Sequence, residues 1–195
     1  MVENLNICLS GGAKGADTEW GICANLAGHD VVHWIFDGYG KKSNLSNMCI
    51  LDREKLEMAD QYLKIANKSL KRSWPTKFQY TNDLLRRNYY QINWSTSVYA
   101  ISSFTNDSSL LKISGGTAWA CQMYVDKWLY GNGELSTCQL YLFDQNTDNW
   151  YNWSGEWKPI LLPPPPTGVY AGIGTRDLSS AGKCAIKNVY GNLSG

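Results

Sequence analysis

Three times in this chain a short apolar run leads into a glycine turn that opens a helix-forming segment. The turns lie in "CLSGGAKGAD" (residues 8–17), "ISGGTAWACQM" (113–123) and "AGIGTRD" (171–177). A buried strand that passes through glycines into a helix is typical of α/β proteins with a parallel sheet. Because parallel strands end at the same edge of their sheet, the pattern predicts that all three turns face one crevice.

Further strands and helices are predicted between and around these turns. Strands are expected at 5–9, 31–36, 98–104, 138–144 and from 169. Helices are expected at 17–27, 56–70 and 118–129, and a further helix is expected to begin at Asn82, which would be its N-cap. The segment "NWYNWSGEWKP" (149–159) predicts an aromatic hairpin that bends at Ser-Gly. The chain is therefore predicted to be α/β, with a Rossmann-like, mostly parallel sheet, helices on both faces and a β-hairpin extension near 149–159. No linker divides it, so we expect one domain over residues 1–195.

Composition excludes several classes of function. A formal net charge of +1 gives no field that would recruit nucleic acid or an anionic membrane. No apolar run approaches the roughly 20 residues of a membrane span, and the N-terminus does not resemble a signal peptide. We therefore expect a cytoplasmic protein. Six scattered cysteines without a C-x-x-C pair indicate reduced thiols, and two histidines make a His-rich metal site improbable, so no metal or cofactor is predicted.

The glycine turns are candidates for binding an anion. Unpaired N–H groups and a partial positive charge mark a helix N-terminus, and glycine lets the backbone approach a ligand closely. A Walker A loop and a strict G-x-G-x-x-G are absent, which argues against ATP hydrolysis and ordinary NAD-dependent dehydrogenation. The candidate ligand-binding residues in the turns are Ser10, Gly11, Gly12 and Gly15, then Ser114, Gly115, Gly116 and Thr117, then Gly174, Thr175 and Arg176.

Two further candidates carry charge. Arg87 is a candidate bidentate phosphate clamp, with Arg86 able to exchange roles with it. Asp17 is a candidate for hydrogen bonding a ribose. Each has a structural alternative: a solvated helix charge for Arg87, and a favourable helix-dipole contact for Asp17. In the same way Thr117 is either a simple helix cap or also a phosphate contact, and Trp119 either packs between helix and sheet or stacks on a base.

The motifs "SGGAKGAD", "LLRRNYYQ", "ISGGTAWACQM" and "AGIGTR" together resemble the SLOG superfamily. This is a group of Rossmann-like proteins that includes cytokinin-activating phosphoribohydrolases, DNA-processing protein A and sensor domains of bacterial immune systems. Within it, the chain resembles compact, mostly phage-encoded SLOG-like proteins. The resemblance spans nearly the whole chain and implies a Rossmann-like fold, a nucleotide-like ligand and a homo-oligomer.

The phosphoribohydrolases share an Arg-Lys pair on a helix, a strand and then P-G-G-x-G-T-x-x-E. Laid over this chain, the arginine falls on Arg87, and Gly115 and Gly116 match the paired glycines. The closing glutamate falls on Gln122, which adds Gln122 to the candidate ligand contacts. An amide binds a ribose hydroxyl but cannot act as a carboxylate base. The comparison therefore implies that binding is retained and catalysis is lost.

Three functions follow as alternatives. The first is a binding protein that sequesters a nucleotide-derived small molecule, such as an ADP-ribose derivative or a cyclic nucleotide immune signal, as a phage anti-defence sponge without catalytic residues. The second is a hydrolase that cleaves an N-glycosidic or phosphoester bond in the same class of ligand. The third, DNA binding, is disfavoured by the net charge. Candidate acids for a hydrolase are Asp17, Asp37, Asp126, Asp144 and Asp177.

Overall fold

The structure is a computed structural model that describes residues 5–39, 47–131 and 133–191. Strands and helices alternate along most of this length. The strands are β1 (Ile7–Ser10), β2 (Asp30–Phe36), β3 (Met48–Leu51), β4 (Ser97–Ser102), β5 (Leu140–Asp144), β6 (Asn149–Trp153), β7 (Trp157–Ile160) and β8 (Val169–Gly174). The α-helices are α1 (Ala16–Leu26), α2 (Arg53–Met58), α3 (Asp60–Leu70), α4 (Gln79–Asn93), α5 (Thr117–Tyr130) and α6 (Ser180–Val189), and a 3-10 turn spans Leu135–Thr137.

All eight strands join one sheet in the order β3-β2-β1-β8-β4-β5-β6-β7. Every neighbouring pair from β3 to β5 is parallel, and β6 and β7 are antiparallel. The predicted α/β class with a mostly parallel, Rossmann-like sheet is confirmed. The last strand, β8, lies between β1 and β4, so the three strands that lead into glycine turns are adjacent.

Helices cover both faces of the sheet, and β4 shows why. Its side chains alternate between the two faces: Val98 and Ala100 pack into a core with α3, α4 and α5. Tyr99 and Ile101 pack into a second core with α1 and α6. All six residues of β4 are buried, as expected for a central parallel strand covered on both sides.

The aromatic hairpin is confirmed at β6 and β7, and it extends the sheet beyond β5. Its tryptophans are packed: Trp150 lies 5.4 Å from the ring of Phe143, and Trp153 is buried. The indole N–H of Trp157 donates to the carbonyl oxygen of Leu111 at 2.7 Å, in the connection from β4 to α5. The hairpin therefore supports the loop that leads into the second glycine turn.

The structure differs from the predicted elements in three places. Strand β3 was not predicted, because an edge strand of four residues has too short a pattern to detect. The helix predicted at 56–70 is two helices that meet at Ala59. Asn82 is not a cap: α4 begins at Gln79, and the amide of Asn82 instead bonds Thr76. Most of the predicted loop at 37–47 lies outside the described residues.

Gly172 in β8 gives a test of the packing between sheet and α1. A Cβ at this position would lie 2.5–2.6 Å from Trp20 side-chain atoms, and Trp20 is fully buried. We expect Gly172→Ala to lower the free energy of unfolding in urea by about 1–3 kcal/mol, because a packed interior resists added volume.

Gly131→Ala is the matched control. Its Cβ would meet its nearest neighbours at 3.5 Å, an ordinary contact, and its φ of −79° suits any residue. A change within about 0.5 kcal/mol is expected there. Equal stability of the two variants would contradict this account of the β8–α1 contact.

Candidate functional site

A cleft of about 410 Å³ opens at the carboxyl ends of β1, β8 and β4, with α4 as its outer wall. This is where ligands bind in open α/β sheets, and the volume is within the range of small-molecule sites. The cleft is lined by Ala13 and Asp17, by Thr81, Leu84, Leu85, Arg87, Asn88 and Gln91, by Ser102, Ser114, Gly115, Gly116, Thr117 and Ala120, and by Ile173, Gly174, Thr175, Arg176 and Asp177.

The first and third glycine turns are built against each other. The N–H of Ala16 donates to the carbonyl of Thr175 at 2.9 Å, and the N–H of Thr175 donates to Ile101 at the same distance. Gly15 has a φ of 95°, and a Cβ there would lie 2.4–2.5 Å from the carbonyl oxygens of Thr175 and Arg176. Gly15 is therefore required for the contact between these turns, whatever it also does for a ligand.

A buried ion pair forms the inner wall of the cleft. Arg87 Nη1 donates to Asp17 Oδ2 at 2.9 Å and to Gln91 Oε1 at 2.8 Å. The other carboxylate oxygen of Asp17 accepts from the N–H of Gly174 at 3.2 Å. The two charged side chains are only 5% and 4% exposed, so each is the counter-ion that the other needs once both have left water.

Gly11 leaves the space that this ion pair occupies. A Cβ on Gly11 would lie 0.9 Å from Arg87 Nη1 and 2.5 Å from Asp17 Oδ2. Gly11 was predicted as a ligand contact. In the structure it lies behind the guanidinium instead, and it does not line the cleft.

Two donors of this wall have no partner among the described residues: Arg87 Nε and Gln91 Nε2. Both side chains are more than nine-tenths buried and both line the cleft. Nearly all buried N–H groups in proteins are hydrogen-bonded to protein, water or ligand. The inner wall is therefore short of hydrogen-bond acceptors, which is what an anionic or hydroxylated ligand would supply.

The second glycine turn is held from outside by Arg72. Its Nη1 donates to the carbonyl of Gly115 at 2.9 Å, and its Nη2 donates to the carbonyl of Ile113 at 2.6 Å and to Asp107 at 2.7 Å. In a trans peptide the N–H points opposite to the C=O, so the N–H of Gly116 points away from Arg72. Across the described chain, the N–H groups of Gly116 and of the first two residues of α5 have no acceptor.

Nine of the predicted site residues line the cleft: Asp17, Arg87, Ser114, Gly115, Gly116, Thr117, Gly174, Thr175 and Arg176. Thr117 is the first residue of α5 and not its cap, since the cap is Gly116. Gly12 and Gly15 line a neighbouring depression. Ser10 is fully buried and donates from its hydroxyl to the carbonyl of Asp17 at 2.7 Å, so it shapes the turn from beneath.

Gln122 does not lie in the cleft. Its Nε2 donates to Asp126 at 2.9 Å, and Asp126 lines a separate groove between α3, α4 and α5. Thr117 and Ala120 are the residues of α5 that line the cleft. Gln122 follows Ala120 by two positions, which turns its side chain by about 200° around the helix axis. The structure therefore places Gln122 apart from the predicted site residues that line the cleft. From there its amide does not take the place of a catalytic glutamate in the cleft.

Two alternatives from the sequence are also decided by position. Arg86 cannot exchange roles with Arg87, because its guanidinium bonds Asp60 and Asp83. Trp119 is buried and lies 5.7 Å from Trp74, away from the cleft, so it packs. Of the candidate acids, Asp17 and Asp177 line the cleft.

Sequence reasoning missed four polar residues of the cleft: Thr81, Asn88, Gln91 and Ser102. Gln91 lies one helical turn after Arg87, a spacing that places both on one face of α4. Ser102 ends β4, and its hydroxyl lies 3.0 Å from that of Ser114. Asn88 donates to the carbonyl of Gly116 at 3.2 Å. Gln91 and Ser102 were open to prediction from their spacing, whereas Asn88 required the packing of α4 against the turn.

Comparisons with known proteins add no relative. No family model, curated protein or solved structure matches this chain. The resemblance to SLOG proteins therefore stays a prediction, and the geometry of the cleft carries the functional argument. In the described residues no helix is long and apolar enough to cross a membrane. No group of three His, Cys, Asp or Glu side chains within those same ranges is placed to hold a metal ion.

The buried pair of Arg87 and Asp17 leads to a prediction about stability. We expect Arg87→Met to lower the free energy of unfolding by about 3–5 kcal/mol, because Asp17 is left charged and buried. The double variant Asp17→Asn/Arg87→Met should recover most of that loss, since no lone charge remains. Urea unfolding of both variants measures this.

Lys55→Met is the control, because the Asp52–Lys55 pair lies at the surface with both side chains more than half exposed. Such pairs add little to stability, so no measurable loss is expected. A double variant as unstable as Arg87→Met would show that the loss is not caused by an unpaired charge.

Proposed function

We propose that the protein binds and sequesters a nucleotide-derived small molecule in this cleft. The observation that carries the proposal is the meeting of three strand–turn–helix connections around one polar cleft whose buried wall lacks acceptors. Phosphate oxygens and ribose hydroxyls are rich in acceptors. They also suit the free N–H groups at the start of α5. The volume accommodates a nucleoside-sized group.

Polar but uncharged groups make up much of the cleft. Ser102, Ser114 and Thr117 offer hydroxyls and Asn88 an amide at the second turn. The charged residues of the lining, two arginines and two aspartates, balance in formal charge. A ligand that enters here is therefore recognised through directed hydrogen bonds more than through net charge, as a sugar and base would be.

The hydrogen bonds of the buried Asp17 carboxylate favour binding without turnover. Both oxygens of Asp17 already accept hydrogen bonds, one from Arg87 and one from Gly174. Asp17 is the buried counter-ion of Arg87, and taking a proton from a ligand would remove that pairing. The sequence resemblance to phage-encoded SLOG-like proteins adds the proposal that the bound molecule is a host immune signal.

A hydrolase is the second candidate, and it rests on Asp177. This residue is exposed at the rim of the cleft beside Arg176. Among the described residues its carboxylate has no ion-pair partner. It is the one cleft carboxylate that is placed to act on a ligand.

The decisive experiment is incubation of the protein with a panel of mono-, di- and cyclic nucleotides and ADP-ribose derivatives. The protein is then denatured with heat and the released molecules are identified by mass spectrometry. A sequestering protein returns its ligand intact and in stoichiometric amount. Turnover at substoichiometric protein that disappears in Asp177→Asn would establish the hydrolase instead.

Gly116→Asp tests the second turn directly. The new Cβ would meet its nearest atom, on Leu85, at 3.5 Å, so it fits. The φ of −70° and ψ of −24° at Gly116 suit any residue, so the fold should be kept. We expect binding of the ligand found in the panel to weaken at least about tenfold by isothermal titration, because the carboxylate lies beside the free N–H groups and repels an anion. Gly116→Asn has nearly the same shape without the charge, so it should lose less affinity and separate the effect of charge from the effect of bulk. Unchanged affinity in both would place the ligand elsewhere.

Gln122→Glu is expected to leave affinity unchanged and to reduce stability. Burial already raises the pKa of Asp126, and the glutamate replaces the amide that donates to it with a second carboxylate. Groups with a raised folded-state pKa favour the folded state more as pH falls. The loss in unfolding free energy should therefore be larger at about pH 7 than at about pH 5. A loss of ligand affinity with unchanged stability would return Gln122 to the site.

A further inference from the structure

An open depression of about 850 Å³ lies beside the cleft, and we call it the shelf. It is lined by Gly12, Lys14, Gly15, Thr18, Glu19, Ile22, Tyr39, Tyr80, Arg176, Leu178 and Lys183. Arg176 lines both the shelf and the cleft. The two spaces therefore meet at Arg176, and one ligand can occupy both.

The shelf and the cleft differ in charge. Among the described residues that line the shelf, the basic side chains of Lys14, Arg176 and Lys183 face one acidic side chain, Glu19, which lies 3.6 Å from Lys183. Among the described residues Lys14 and Arg176 have no ion-pair partner. The cleft, in contrast, balances its arginines with aspartates. Negative charge on a ligand is therefore better accommodated on the shelf than in the cleft. The positive surface of the shelf begins at Arg176, where the two spaces meet.

The shelf also has an aromatic wall. Tyr80 is 48% exposed, and its ring lies 6.2 Å from that of Tyr39 and 5.7 Å from that of Phe36. The guanidinium of Arg87 lies 5.6 Å from the ring of Tyr39, on the side of the cleft. Tyr39 is thus the partition between the two spaces, and Tyr80 is the ring that is open to a ligand. Flat rings of this kind bind a base by stacking.

We propose that the ligand is two-ended: a nucleoside in the cleft, a diphosphate bridge at Arg176 and Lys14, and a second ring stacked on Tyr80. This inference rests on the proposed function and favours one class of nucleotide-derived ligand over the others, because a cyclic mononucleotide would leave the aromatic wall empty. The surplus positive charge of the shelf matches a bridge with two negative phosphates.

The test compares AMP, cyclic AMP and diadenosine diphosphate by isothermal titration. AMP and diadenosine diphosphate carry similar total charge, so their difference reports the second ring. We expect diadenosine diphosphate to bind at least about tenfold more tightly than either mononucleotide. Tyr80→Ala should remove that advantage and leave AMP affinity unchanged, and Tyr80→Phe should keep it. Lys14→Gln/Arg176→Gln should weaken diadenosine diphosphate and flatten its salt dependence.

Tyr130→Ala is the control, because Tyr130 is 72% exposed at the end of α5 and lines neither the cleft nor the shelf. It should change no affinity. Equal affinity for AMP and diadenosine diphosphate, or an advantage that survives Tyr80→Ala, overturns the two-ended ligand and leaves the nucleotide site intact. Absence of binding for all three probes at millimolar concentration overturns the nucleotide site itself, and this inference with it.

Discussion

The ion pair between Arg87 and Asp17 sets the conditions that the rest of the site has to meet. Two charges at this depth require good geometry and partners for their other hydrogen-bonding groups. Among the described residues Arg87 Nε still lacks an acceptor. The pair joins α4 to α1, and through the N–H of Gly174 it also reaches β8. Gly11 must lack a side chain for the guanidinium to fit. One electrostatic requirement thus fixes three separate parts of the chain relative to one another.

Because β8 lies between β1 and β4, the turn after it lies beside the ion pair and completes the cleft. The chain builds β1 to β3 outward in one direction and β4 to β7 in the other, and it returns at the end to insert β8 between them. The point at which the strand order reverses normally leaves a crevice between two turns. Here a third turn enters that crevice, and its backbone bonds Ile101 on one side and Ala16 on the other. The lining of the cleft is therefore assembled from the first, middle and last parts of the chain.

Local pattern was sufficient for the fold and for most of the cleft. Apolar runs followed by glycine predicted β1, β8 and the helices after the turns, and the apolar run at 98–104 predicted β4. Because these strands are parallel, their turns lie at one edge of the sheet. Position around a helix was not predictable from the aligned motif. Gln122 fits the spacing of a phosphoribohydrolase glutamate, but α5 begins at Thr117 and directs Ala120 into the cleft, so Gln122 points elsewhere. Gly11 shows the same limit, because only the tertiary partner of a glycine tells whether its missing side chain makes room for a ligand or for an arginine.

The two edges of the sheet are unlike, and this restricts how copies of the chain can associate through it. On one side the sheet ends in β7, a strand of four residues that contains Pro159, whose nitrogen has no hydrogen to donate. On the other side it ends, among the described residues, in β3, which exposes Met48 and Ile50. If copies paired edge to edge through β3 about a two-fold axis, that contact would use the edge on both copies and close the assembly. Pro159 disfavours further pairing at the opposite edge, so the hairpin works against growth of the sheet from copy to copy.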